Sequence, residues 1–222
     1  MDYKKEIALA GLEIGAIKLN IKEPFTWTSG YKMPIYNDNR MFLFYPNYRK
    51  LIANSFKDII KSNGISFDVV AGTSSAGISP ATTLADCLNA PMIYVRDEPK
   101  KHGLKKHIEG FDSDLQNRKI ILIEDVISTG GNAIRAINYI RDARGKCNCC
   151  FSIFNYGFDK STISFENLNP SCQVYSILNY NELLKFARET NYINNQEVEA
   201  LFDWKENPFE WGEKHGFPKI EK

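Results

Sequence analysis

The chain has 222 residues, of which 43% are hydrophobic and 25% charged, and its 28 Lys and Arg against 27 Asp and Glu give a net charge of +1 at pH 7. These proportions are those of an ordinary globular protein and exclude disordered and collagen-like chains. The even charge balance gives no global reason to bind nucleic acid or an anionic membrane, and no apolar run approaches the roughly 20 residues that span a bilayer.

Helix and strand patterns alternate along the chain. Apolar residues at helical spacing predict the helices, and short apolar runs predict the strands. A polar segment at 97–118 has neither pattern, and we expect an aromatic tail with Trp204, Phe209, Trp211 and Phe217 to pack onto the main domain. The predicted elements are, in chain order, a helix at 7–17, a hairpin-like hood at 25–40, a helix at 48–60, a strand at 67–71, a helix at 78–88, strands at 92–95 and 120–123, a helix from 134 to Gly145, strands at 149–154 and 174–178, and helices at 181–190 and 195–206.

This alternation predicts a parallel sheet with right-handed crossovers and helices on its faces. The fully apolar run at 121–123 suits a sheet that is covered on both sides. The expected class is therefore α/β in one domain. We divide it into an N-terminal helix and hood at 1–45, an α/β core at 46–180, and C-terminal helices and tail at 181–222.

The cysteines and the N-terminus favour a cytoplasmic protein. Five cysteines are an odd number in a chain too long to need disulfides, so reduced thiols are the simplest account. The charged start at 1–6 is unlike a secretory signal. Cys147, Cys149 and Cys150 lie close together without a second Cys/His cluster at zinc spacing, so the alternating side chains of a strand explain them better than a metal site.

The stretch KIILIEDVISTGGN at 119–132 is the most informative part of the sequence. A buried strand is predicted to end in Glu124 and Asp125, followed by a short loop and by Gly130 and Gly131 at the start of a helix. Ligands of α/β proteins bind beyond the carboxyl ends of parallel strands, and such a loop offers N–H groups and a positive dipole end to phosphate. Adjacent acids would repel phosphate unless they hold hydroxyls or a cation. A phosphorylated sugar meets both demands.

Other readings of the phosphate signals are weaker. The acids could be ordinary strand-end charges and the glycines an ordinary turn, but acids, hydroxyls and glycines in this order favour a ligand site. The spacing from Gly72 to Gly77 is that of a P-loop, yet Ile78 and Ser79 follow instead of Lys and Ser or Thr. The sequence has no G-x-G-x-x-G for a dinucleotide.

Two further segments suit anions. In AGTSSAG at 71–77 the glycines let the backbone approach an anion, and Thr73, Ser74 and Ser75 add hydroxyl donors; a serine-rich turn is the alternative. The segment 96–109 holds five Lys or Arg against three Asp or Glu, plus two histidines. Such a segment can close over a pyrophosphate and balance its charge; a solvated surface loop is the alternative.

The motif at 119–132 resembles the phosphoribosyl-pyrophosphate (PRPP) signature of type I phosphoribosyltransferases. The other motifs resemble orotate phosphoribosyltransferases in the same order: a hood, FTWTSGYKMPIYNDNR at 25–40, a pyrophosphate loop, AGTSSAGISPA at 71–81, and a catalytic loop, VRDEPKKHG at 95–103 with IEG at 108–110. The resemblance implies a type I phosphoribosyltransferase fold with an N-terminal hood and a C-terminal helical extension. It also implies transfer of the phosphoribosyl group from PRPP to orotate in pyrimidine (UMP) biosynthesis, giving orotidine 5′-phosphate and pyrophosphate.

The resemblance further implies site residues, a metal and an assembly. Lys100, His102 and Asp125 are the expected catalytic residues. Mg²⁺ is expected to be held mainly through PRPP without a direct protein ligand, and a homodimer is expected in which the loop at 97–112 reaches the neighbouring site. Expected orotate contacts are Ser128, Ser29, Gly30 and Tyr36, and expected PRPP contacts are Arg96, Lys100, His102, Glu124, Asp125, Val126, Ile127, Ser128, Thr129, Gly130, Gly131, Asn132, Thr73 and Ser74.

Three positions depart from the family pattern and leave recognition of the orotate carboxylate open. Thr28 stands where some members have a Lys in the hood, and Asp97 stands where they have a Lys directly after the Arg of the catalytic loop. Other members have a base-binding Arg on the strand after the PRPP motif, and near that point this chain has Tyr156. Two alternative functions follow: transfer to another base, or a PRPP-sensing regulator that binds nucleic acid. The second would need a basic face, which the charge balance does not indicate.

Overall fold

The computed structural model describes residues 2–98, 107–111 and 115–221. Packing divides the chain into two compact units. The core unit spans 43–180, and the terminal unit combines 2–42 with 181–222. None of the helices in the described ranges is long and apolar enough to cross a membrane.

A six-stranded sheet forms the centre of the core unit. Its strands are β5 (Val69–Thr73), β6 (Met92–Val95), β7 (Ile108–Glu109), β8 (Lys119–Ile127), β9 (Lys146–Asn155) and β10 (Gln173–Asn179). Their order across the sheet is β10-β9-β8-β5-β6-β7, and all neighbours are parallel except β6 and β7, which are antiparallel. The predicted parallel α/β sheet is confirmed for five strands, and the short β7 adds an antiparallel edge that the sequence does not predict.

Helices cover both faces of this sheet because its strands are apolar on both sides. One face packs in a continuous cluster that includes Leu122, Ile137, Cys150 and Phe165. On the opposite face, Phe56 contacts the ring of Phe151 at 6.0 Å between ring centroids. The helices of the core unit are α2 (Pro46–Ser62), α3 (Ile78–Leu88), α4 (Gly131–Asp142) and α5 (Asp159–Glu166).

The terminal unit is built from two small hairpins and helices from both ends of the chain. Strand β1 (Ile17–Leu19) pairs antiparallel with β4 (Ile35–Asn37), and β2 (Phe25–Thr26) pairs antiparallel with β3 (Lys32–Met33). A 3₁₀ helix, Asn39–Phe44, follows the second hairpin. The elements of the terminal unit are α1 (Tyr3–Glu13), β1 (Ile17–Leu19), β2 (Phe25–Thr26), β3 (Lys32–Met33), β4 (Ile35–Asn37), α6 (Tyr180–Glu189), α7 (Asn195–Glu206) and α8 (Trp211–Lys214).

The aromatic tail packs inside the terminal unit, whereas the sequence predicts that it packs onto the main domain. Trp204 is fully buried, and its Nε1 lies 3.1 Å from Met33 Sδ of the hood. Its ring also meets Trp27 edge-on at 6.4 Å. The hood is too short to bury its own apolar side chains, so the C-terminal helices supply the missing core.

Most predicted elements are present, but several bounds differ. Helix α1 begins earlier than predicted and ends at Glu13, because Gly15 turns the chain with a φ of +73° before β1. Strand β8 continues past the predicted end to Ile127. Helix α5 and the short strand β7 do not follow from any apolar periodicity in the sequence.

Candidate active site

A loop between β8 and α4 encloses a cavity of about 280 Å³ at the carboxyl end of the sheet. This is the edge at which α/β proteins bind ligands. Ser128, Thr129 and the first backbone N–H groups of α4 offer the cavity uncharged hydrogen-bond donors. The described residues that line it are Glu124, Val126, Ile127, Ser128, Thr129, Gly130, Gly131, Asn132, Ala133 and Arg135.

Gly130 makes this loop possible. Its φ is +81°, and an added Cβ would lie 2.9 Å from the ring of Phe165 on α5. A larger residue would therefore be both strained and obstructed. The glycine lets the chain turn directly from the strand into α4, which places the start of the helix beside the cavity.

Glu124 is a buried acid at the floor of the site. It is 5% exposed, and its Oε1 accepts hydrogen bonds from Thr73 Oγ1 at 2.7 Å and from the backbone N–H of Asp125 at 3.0 Å. Burial and the neighbouring Asp125 carboxylate raise the pKa of Glu124, although the Thr73 hydroxyl opposes the shift. Asp125 is half-buried. The two acids thus lie in different environments, with Glu124 favouring its neutral form.

The pyrophosphate loop lies next to these acids because β5 and β8 are neighbouring parallel strands, with Gly72 opposite Ile123. An added Cβ at Gly77 would overlap Thr73 Oγ1 and the carbonyl oxygen of Ile123. The glycine spacing therefore lets the loop fold back onto Thr73. Ser74 is exposed, and its backbone N–H donates to the carbonyl of Val95 at 2.8 Å.

The described ends of the catalytic loop are anchored to each other and to α4. The backbone N–H of Arg96 donates to the carbonyl of His107 at 2.7 Å. The His107 ring stacks on Tyr139 of α4 with 3.6 Å between centroids. Asp97 forms a two-point ion pair with Arg135.

Lys100 and His102, both predicted to be catalytic, lie outside the described residues. Lys101, Lys105 and Lys106 also lie outside the described residues. The sequence predicts that these three lysines are solvated. The structure thus brings Thr73, Glu124, Asp125 and the loop at 126–132 together, and it places Arg96 at the described end of the catalytic loop.

The predicted orotate contacts of the hood belong to the terminal unit. Ser29 is exposed and Tyr36 is half-buried beside Phe25, with ring centroids 5.8 Å apart. Gly30 has a φ of +85°, accepts a hydrogen bond from the backbone N–H of Ile220 at 3.0 Å, and could not carry a Cβ without overlapping the carbonyl of Ile220. The glycine requirement at Gly30 therefore comes from the packing of the tail.

Arg40 of the hood and Tyr156, which follows β9, both have local partners. Arg40 Nε donates to Asp38 Oδ1 at 2.6 Å, and Arg40 Nη2 donates to Asp38 Oδ2 at 2.8 Å. These hydrogen bonds lower the pKa of Asp38. Tyr156 is 3% exposed, and its ring stacks on Phe158. Tyr156 is thus a core residue, near the point where the family resemblance leads one to expect a base-binding Arg.

The thiols and carboxylates also bear on metal binding. All five cysteines are free, and burial raises the pKa of Cys147, Cys149, Cys150 and Cys172. Across 2–98, 107–111 and 115–221, no three His, Cys, Asp or Glu side chains group closely enough to hold a metal ion. Mg²⁺ prefers about six oxygen ligands and keeps several waters. The two carboxylates at 124–125 fit a Mg²⁺ ion only if substrate and water supply most of its ligands.

Comparisons with known proteins agree with this architecture. Residues 42–157 match the model of the phosphoribosyl transferase domain. An orotate phosphoribosyltransferase of Cytophaga hutchinsonii is 38% identical over 211 residues, covering 95% of this chain and 99% of the relative. One of Listeria innocua is 41% identical over 212 residues, covering 96% and 100%. The crystal structure of orotate phosphoribosyltransferase from Aeropyrum pernix superposes with a TM-score of 0.69 at 19% identity, covering 85% of this chain and 99% of that one. The chain belongs to the orotate phosphoribosyltransferase family.

Proposed function

We propose that the chain transfers the 5-phosphoribosyl group from PRPP to N1 of orotate, giving orotidine 5′-phosphate and pyrophosphate. The observation that carries this proposal is the cavity between β8 and α4, which joins a phosphate-binding loop to the Glu124 carboxylate, with Asp125 next to it in the chain. A phosphorylated ribose has the matching groups, an anion at one end and vicinal hydroxyls at the other.

The 5′-phosphate binds at 128–132, where the backbone N–H groups at the start of α4 and the hydroxyls of Ser128 and Thr129 donate to its oxygens. The ribose hydroxyls bind Glu124 and Asp125. Val126 and Ile127, at the end of β8, connect these two groups of residues.

Attack of orotate N1 at the anomeric carbon passes through an oxocarbenium-like state. The bond from N1 to C1′ forms as the bond from C1′ to the pyrophosphate oxygen breaks, and the N1 proton passes to the departing pyrophosphate or to water. The orotate ring carries an anionic carboxylate and the leaving group is itself basic, so a strong base on the protein is not needed. Catalysis then comes from positioning and from stabilising charge. The Asp125 carboxylate lies near the developing positive charge and favours it.

The leaving pyrophosphate is neutralised by Lys100, His102 and Arg96, and the exposed Ser74 hydroxyl donates to it from the pyrophosphate loop, next to Thr73. Mg²⁺ supplies further charge neutralisation when it is bound. It would be held mainly through PRPP oxygens and water, because Glu124 and Asp125 alone are too few donors to complete its coordination.

Orotate recognition uses Ser128 from the loop and Ser29, Gly30 and Tyr36 from the hood. The Ser29 hydroxyl and the hood backbone offer neutral donors where other family members place a Lys. This part of the proposal rests on the resemblance of 25–40 to the family's substrate-facing segment, and on the exposure of Ser29.

The working form is a cytoplasmic homodimer in which the whole chain serves as one phosphoribosyltransferase domain, and the loop at 97–112 completes the neighbouring site. A two-fold dimer places two such loops reciprocally. The proposed partners are PRPP and orotate, with no role for nucleic acid or membrane.

The test is to incubate the purified chain with PRPP and Mg²⁺ and to offer orotate, uracil, hypoxanthine and adenine in parallel. Selective consumption of orotate, followed by absorbance, is the expected result. Turnover of a purine with orotate inert would refute the assignment. A chelator control without Mg²⁺ should abolish turnover.

A further inference from the structure

Arg135 is a cation of the phosphate cavity that the family resemblance does not assign. It lies in the first turns of α4, and its guanidinium turns back toward the loop. Its Nη2 donates to Asn132 Oδ1 at 2.6 Å, and an added Cβ at Gly131 would lie 3.4 Å from its Nη1. Arg135 is the only basic residue among the described residues that line this cavity.

The direction of this guanidinium is fixed by Asp97. Arg135 Nε lies 2.5 Å from Asp97 Oδ1, and Nη2 lies 3.0 Å from Oδ2. Both side chains are about half exposed, and solvent-exposed pairs contribute little to stability because water and salt screen them. The pair lowers the pKa of Asp97 and raises that of Arg135, so both groups stay charged at neutral pH. The main effect of the ion pair is therefore geometric. It holds the Nε and Nη2 edge of the guanidinium and keeps Nη1 beside Gly131.

The remaining donors of the cavity are uncharged, and Glu124 at its floor favours the neutral form. A doubly charged phosphate among neutral donors gains strongly from one oriented guanidinium, since charge-assisted hydrogen bonds are about twice as strong as neutral ones. We propose that Arg135 binds the 5′-phosphate of the substrate from α4, and that Asp97 positions it. The inference rests on the proposed function, because it requires a phosphate at 128–132.

This role also accounts for Asp97, where the family resemblance leads one to expect a Lys. An acid next to a phosphate site would be unfavourable by itself. As the partner of Arg135 it is neutralised, and it contributes the orientation that a flexible Arg lacks.

The test measures ribose 5-phosphate binding by calorimetry, which requires neither orotate nor turnover. Arg135→Gln should weaken binding about 10-fold or more, and Arg135→Lys should fall between it and the parent chain. Lys61→Gln, which removes an exposed cation at the end of α2, should leave binding unchanged. Equal affinities of Arg135→Gln and the parent would overturn the inference while leaving the proposed reaction intact.

A double-mutant cycle tests the positioning role of Asp97. Asp97→Asn should weaken ribose 5-phosphate binding in the parent background but not in Arg135→Gln, where the acid has lost its guanidinium partner and can only repel the phosphate. The same loss in both backgrounds, or tighter binding by Asp97→Asn in the parent background, would overturn that role. If the parent chain fails to bind ribose 5-phosphate at all, the inference falls, and the orotate assay decides separately on the proposed reaction.

Discussion

The Thr73 hydroxyl donates to Glu124 Oε1 at 2.7 Å and so links the loop at 71–81 to the acids proposed to bind ribose. The two residues are 51 positions apart and meet because β5 and β8 are adjacent strands. The hydrogen bond stabilises the ionised carboxylate and works against the burial that favours its neutral form. Thr73 therefore shifts the protonation equilibrium of Glu124 toward the ionised form.

The first prediction concerns this hydroxyl. Thr73→Val keeps the shape of the side chain and removes the donor, so the pKa of Glu124 should rise further. The groups facing Glu124 are Asp125 on β8, Thr73 on β5 and the neutral Cys150 thiol on β9. We expect kcat/KM for PRPP to fall about 10-fold, with the acid limb of its pH profile moved to higher pH.

The matched control for this variant is Thr82→Val. The Thr82 hydroxyl donates to the carbonyl of Ile78 within α3, away from both acids. It should leave the pH profile in place. An unmoved profile in Thr73→Val, even with reduced activity, would show that Thr73 does not act through Glu124.

The second prediction is a pH dependence of stability. Burial and Asp125 raise the pKa of Glu124 from 4.5 to about 8, so between these values the folded chain binds more protons than the unfolded chain at this site. The free energy of unfolding should therefore fall as pH rises through this window, by at most ~1.4 kcal/mol per pH unit. In the Glu124→Gln variant this side chain cannot ionise, so the pH-dependent contribution of Glu124 to stability is absent.

Thermal unfolding without ligand measures the effect. The melting temperature of Glu124→Gln relative to the parent should rise between pH 5 and pH 8.5. Taking the difference between the two proteins cancels the titration of groups that do not interact with Glu124. A constant difference across this range would show that the folded state does not hold Glu124 in its neutral form.

The third prediction distinguishes two lysines of the catalytic loop. Lys100 is expected to meet charge that grows on the departing pyrophosphate, so Lys100→Ala should lower kcat on the order of 10²-fold, more than it raises the KM for PRPP. Lys105→Ala, at a position expected to be solvated, is the control. Equal effects of the two substitutions would contradict the distinction.

The sequence predicts the frame of the site because its signals are local. Strand, acids, glycine loop and helix follow one another at 119–142, and parallel strands must bring 73 and 124 to the same edge. The pairing of Asp97 with Arg135 could not be predicted in this way, because the two are 38 residues apart and each reads as an ordinary surface charge. Helix α5 is not predicted because its residues are mostly polar, and only Ser161 and Phe165 of this helix are buried.

The last prediction concerns the proposed dimer and its shared sites. Asp125→Asn in the body should lose activity yet melt normally without ligand, because its carboxylate is half-buried and its removal leaves no cavity. Lys100→Ala should be inactive through the loop. If the loop at 97–112 serves the neighbouring subunit, a hybrid of the two variants has one site with an intact body and an intact loop.

Refolding the two variants together tests this geometry. Random mixing makes half of the dimers hybrid, so roughly a quarter of all sites should recover, as a two-fold pair requires. If each loop instead serves its own subunit, every site keeps one defect and mixing restores nothing. Distinct affinity tags on the two variants confirm that hybrids have formed. Hybrids that form without regaining activity would exclude a site shared across the dimer.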